Sequence, residues 1–98
     1  MMRISDLLLH GHENAQTMRD LVSLTGENSR TIRRMIEAER RRGTPILSDN
    51  RNGYWLALDS RETELFVRSM RGRAREILRT AAAVERAGGM EQETLEGW

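Results

Sequence analysis

Seven arginines lie between Ser29 and Arg51, at positions 30, 33, 34, 40, 41, 42 and 51, against three acids, Glu37, Glu39 and Asp49. The stretch carries +4 in a chain of net charge +1, so the remaining residues sum to −3. A guanidinium is a planar fork of donors that matches phosphate oxygens and the acceptor edge of guanine. Wound at 100° per residue, Arg30, Arg33, Arg34, Glu37 and Arg41 fall on one arc of a helix. Ile32, Met35, Ile36 and Glu39 fall on the other. One arc suits a core and the other an anionic partner. Ser29 and Thr31 add hydroxyls near the start of that helix, and Glu37 can accept from a cytosine amino group or brace a neighbouring arginine. Arg40, Arg41 and Arg42 sit at its C-terminal end, where cations also suit the helix dipole. All 16 basic residues are arginine, a bias that GC-rich coding produces, so the clustering carries more weight than the residue type.

Other chemistry is thinly represented. There is no cysteine, which excludes disulfides, thiolate metal sites and cysteine nucleophiles, and agrees with a reducing cytoplasm. His10, His12 and Glu13 surround a glycine without a further histidine, a poor set for zinc, so no metal ligand is assigned. Ser5, Asp6 and His10 lack a nucleophile motif or an oxyanion site, and no glycine-rich phosphate loop exists. The expectation is a protein that is not an enzyme and needs no cofactor. No apolar run reaches membrane-spanning length and no signal-peptide pattern opens the chain, so a soluble, cytoplasmic protein is expected, with no membrane partner.

The elements that must hold the arginine arc follow from periodicity and turn signals. Ile4, Leu7 and Leu8 have helical spacing and predict a short amphipathic helix ended by Gly11. Asn14 to Gln16 fits a short extended piece. Thr17 to Asp20 forms a capping box for a helix offering Met18, Leu21, Val22 and Leu24 for burial. Gly26 and Asn28 end that helix and cap the next, which runs from Ser29 to about Arg42. Two apolar runs, 45–47 and 54–57, flank the loop Ser48–Gly53 and predict a hairpin, with Asn52-Gly53 supplying positive φ. Ile46, Leu47, Tyr54 and Leu56 would anchor the hairpin to the core. Trp55 points the other way and is expected under the last helix. Asp59-Ser60 caps that helix, roughly Arg61 to Ala87, and Gly88-Gly89 ends it.

The expected fold is mostly α with a small β-hairpin (α+β): a winged helix-turn-helix followed by a long C-terminal helix. Residues 1–59 would form the winged unit, 60–87 the long helix and 88–98 a flexible acidic tail. A helix-turn-helix places its second helix in the major groove, and a wing tip reaches a phosphate or the minor groove. The expected DNA contacts are Thr17, Arg19, Ser29, Arg30, Thr31, Arg33, Arg34, Glu37 and Arg41, with Arg51 and Asn52 from the wing.

The portion "TG…SRTIRRMIEAERRRGTPI…GYWLA", within residues 4–58, resembles winged helix-turn-helix proteins of bacterial prophages. It is also similar to the N-terminal domains of biotin-repressor-type and sugar-regulator-type proteins. The resemblance implies a small DNA-binding protein. The ligand-sensing domain of the larger regulators has no counterpart here, so no small-molecule effector is expected.

In the long helix Leu65 to Met70 would pack on the core. Met70, Ile77 and Val84 recur every seven residues, as do Val67, Ala74 and Ala81. A homodimer through Met70, Ala74, Ile77, Ala81 and Val84 is expected. The functional expectation is sequence-specific double-stranded DNA binding, as a transcriptional regulator of phage or mobile-element origin. The alternative is a protein-binding adaptor, or a phage replication or recombination accessory factor, that works through the long helix.

Overall fold

The computed structural model describes residues 2–89, so the acidic tail expected at 88–98 lies, from residue 90 on, outside the described residues. Its elements are α1 (Met18–Thr25), α2 (Ser29–Arg41), β1 (Ile46–Asp49), β2 (Gly53–Leu56) and α3 (Ser60–Ala87), preceded by 3-10 turns at Ile4–Asp6 and His12–Asn14. This is a mostly helical α+β fold: a helix-turn-helix, an antiparallel hairpin, then a long helix. The chain divides into two compact units between Phe66 and Val67, so the first turns of α3 belong to the first unit.

The first unit is built on Ile4, Leu8, Leu21, Ile32, Ile36 and Ile46, with Met18, Val22, Met35, Tyr54 and Leu56 packed against them. Each element contributes the face its periodicity marks. Ile32 and Ile36 lie four apart on α2, and Ile46 and Leu56 are paired across the hairpin. The second unit begins within α3. No residue of α3 is buried.

Several sequence expectations need correction. The helix expected from Ile4 is a single 3-10 turn, because the backbone beyond it is drawn to the hairpin: Leu56 N–H donates to the Leu9 carbonyl and Gly11 N–H to that of Leu56, both at 2.8 Å. Asn14 belongs to the second 3-10 turn, and the extended piece shrinks to Gln16, which exchanges two 2.8 Å bonds with Tyr54. Leu24, Leu65 and Met70 are exposed instead of buried. Leu47 is buried, but it pairs with Trp55 on the hairpin face opposite Ile46 and Tyr54. Asn52 keeps a negative φ; the positive φ of the turn falls on Gly53 alone.

Candidate nucleic-acid interface

The helix-turn-helix is held by its caps. Thr17 Oγ1 accepts the Asp20 N–H, and an Asp20 carboxylate oxygen accepts the Thr17 N–H, both at 3.1 Å. Gly26 takes φ +75° and returns its N–H to the Val22 carbonyl, closing α1. Asn28 Oδ1 accepts the Thr31 N–H at 2.9 Å and opens α2. Three residues therefore separate the two helices, and the Glu27 N–H between the caps donates to Thr25 Oγ1 at 3.0 Å.

The arc of α2 emerges as its periodicity predicts. Arg30, Arg33, Arg34, Glu37 and Arg41 are exposed, while Ser29 and Thr31 are half-buried. Arg30 and Arg34 make no hydrogen bond or ion pair among the described residues. Arg33 Nη1 donates to Ser29 Oγ at 3.4 Å, a long bond, and Arg41 lies 3.7 Å from Glu37 with both side chains solvated. An exposed pair of this kind contributes about 0–1 kcal/mol, so either guanidinium is readily released to a partner. At the start of α1, Arg19 is exposed. Thr17 is engaged in its cap, and the Asp20 carboxylate stands where an anion would otherwise meet the helix N-terminus.

Arg40 behaves differently from its neighbours. Its Nε donates to the Ile46 carbonyl at 2.7 Å and its Nη2 to Ser48 Oγ at 3.0 Å, while the guanidinium lies 5.1 Å from the Phe66 ring centre. It joins α2, β1 and the start of α3. Below it, a notch of about 170 Å³ separates α2 from the hairpin, lined by Arg33, Glu37, Ser48 and Tyr54 among others.

The wing tip is braced from within. Asp49 Oδ1 accepts the N–H groups of Arg51 and Asn52, at 3.1 and 2.6 Å. Its Oδ2 lies 2.9 Å from both Asn52 Nδ2 and His12 Nε2. Desolvation pushes the Asp49 carboxyl up, but the side-chain and backbone bonds from Asn52 and the contact with His12 outweigh it, leaving the group well below the ordinary carboxylate range. Asn52, expected as a DNA contact, thus turns its amide into the turn. Arg51 keeps its side chain in solvent at the tip. The His12 ring also meets Trp55 edge-on, with centroids 4.8 Å apart.

Glu62, in the first turn of α3, closes the far side of the hairpin. It accepts from the Leu58 N–H at 2.9 Å, from Trp55 Nε1 at 3.1 Å and from the His12 N–H at 3.2 Å. The Leu58 bond, aided by those from His12 and Trp55, holds its carboxyl below the usual value against the opposing effect of burial. Trp55 is accordingly buried and bonded to the start of the long helix.

Four positioning residues, Arg40, Asp49, His12 and Glu62, thus hold the frame behind the arc, and a fifth, Glu39, accepts the Ile4 and Ser5 N–H groups at 2.7 and 3.0 Å. Glu39 was placed on the inner arc by periodicity. The partners of Glu39, and the His12 contacts of Asp49 and Glu62, lie on distant segments that no local pattern reveals. No set of three or more histidine, cysteine or acidic side chains suited to a metal occurs among the described residues, and no helix among them is long and apolar enough to cross a membrane. Comparisons with protein-family models, curated proteins and solved structures return no match.

Proposed function

We propose that this chain binds double-stranded DNA with sequence preference, through the exposed arc of α2 and the tip of the wing. The observation that carries the reading is the presence of two solvated, unpaired arginines, Arg30 and Arg34, on the second helix of a capped helix-turn-helix, beside a braced hairpin ending in Arg51. In this reading Ser29, Arg30, Thr31, Arg33 and Arg34 enter the major groove, with Glu37 and Arg41 farther along the same arc. Arg51 meets the backbone or minor groove, and Asn52 acts by shaping the wing. Arg19 meets a flanking phosphate. The biological role is that of a transcriptional regulator of phage or mobile-element type, acting in the cytoplasm, without catalysis, cofactor or small-molecule effector.

The test is fluorescence anisotropy on a 30-base-pair duplex as salt is raised. Neutralising several phosphates makes the logarithm of affinity fall linearly with the logarithm of salt. Arg30→Ala or Arg33→Ala should cost about 1–3 kcal/mol and relax base preference where that side chain reads a base. Absence of binding even at low salt would overturn the proposal. The exposed apolar residues of α3 favour the second reading, a protein-binding adaptor or replication accessory factor. Its binding would be insensitive to salt.

A further inference from the structure

The second unit presents exposed apolar side chains along its helix among the described residues. Met70 is 41% exposed, Ile77 69%, Leu78 69% and Val84 63%. In proteins most of a helix's stability comes from packing one face rather than from its intrinsic propensity. The chain's charge also changes along the sequence. Between Arg68 and Arg79 there are five arginines and one acid, Glu76, whereas Glu85 follows near the end of α3 beside one arginine, Arg86.

We infer that α3 pairs with α3 of a second copy of this chain in antiparallel orientation, about a twofold axis at the level of Arg79. In that register, facing core positions have numbers summing to 158. Ile77 packs on the partner copy's Ala81, and Val84 on its Ala74, with the reciprocal contacts on the other side of the axis. Each large side chain meets a small one, so the helices keep one spacing throughout. A parallel in-register pair would stack Ala on Ala and Ile on Ile, forcing the spacing to alternate, and the interaxial distance depends on the contacting side chains. The flanking positions agree with the antiparallel register. Leu78 meets its own copy at the axis, and Arg71 lies beside the partner copy's Glu85, twice by symmetry. Sliding by one heptad toward the N-terminus would instead put Glu64 beside Glu85, a like-charge pair. Parallel pairing offers Arg71 no acid.

The absence of native cysteine makes the orientation directly measurable in the full chain without DNA. Arg71→Cys and Glu85→Cys replace exposed side chains and leave the apolar face intact. Under mild oxidation, a mixture of the two variants should yield a covalent dimer joining one of each, while either variant alone should remain uncrosslinked. Sedimentation equilibrium should show a dimer in the parent protein. Arg71→Glu should weaken association about tenfold, and adding Glu85→Arg to it should restore it to within about twofold. A monomeric parent at high micromolar concentration, or crosslinks that form within a single variant, would overturn the inference. Neither result bears on whether the arginine arc binds DNA.

Discussion

Glu39 is a carboxylate on the inner arc of an otherwise apolar helix face, 4% exposed. Its two oxygens accept the N–H groups of Ile4 and Ser5 at 2.7 and 3.0 Å, so it acts as a cap supplied from another segment. Glu39→Ala leaves the buried Ile4 donor without a partner. A loss of about 1–3 kcal/mol is expected in urea unfolding, with Glu39→Gln falling between the variant and the parent because the amide keeps one acceptor. The inward position of Glu39 was legible in the sequence because period counting needs only neighbours. Its partners were not, since they lie 35 and 34 residues away. Arg40 marks the same boundary. Its type and place in an arginine run suggest helix-end electrostatics or an anion contact. The structure turns it to the Ile46 carbonyl, Ser48 and Phe66.

Among the elements, the hairpin depends on one glycine more than on its strand residues. Gly53 has φ +106°, and a β-carbon there would run into the backbone of Gln16 and Thr17. Gly26 also has positive φ, but the space around it is open. Gly53→Ala should therefore cost at least about 2 kcal/mol, because backbone strain and collision add. Gly26→Ala should cost about 1–2 kcal/mol, the conformational penalty alone. The two thermal midpoints, compared in parallel, check this difference. The turn composition showed where the chain must reverse. That a third segment runs against β2 through Gln16 was partly legible as the extended piece before Thr17. The single 3-10 turn at Ile4–Asp6 was not, because helical spacing of apolar residues says which side chains are buried and not whether the backbone bonds locally or to a strand.

At the scale of the molecule, two exposed-edge carboxylates couple folding to pH. Asp49 and Glu62 both titrate below their ordinary values of 3.8 and 4.5 in the folded chain. The unfolded chain therefore binds more protons in acid, and stability rises with pH across that range. Their contribution is complete above about pH 5 and is lost as pH falls through the folded values. Asp49→Asn and Glu62→Gln should each flatten the acid limb of a stability-versus-pH profile, with little change in its slope above pH 6. Through Glu62 the first turn of α3 bonds Trp55, Leu58 and the His12 backbone, so that turn belongs to the first unit.

Two contacts of the N-terminal segment come from residues far along the chain. Glu39 follows Ile4 by 35 residues, and Glu62 follows His12 by 50. A growing chain delivers residues in order, at about 5–20 per second, so His12 waits roughly 3–10 s for the carboxylate that receives its N–H. Both contacts thus form well after the segment itself has been made. The helix-turn-helix, whose caps lie within three residues of what they hold, has all its local instructions long before the segment that precedes it can settle.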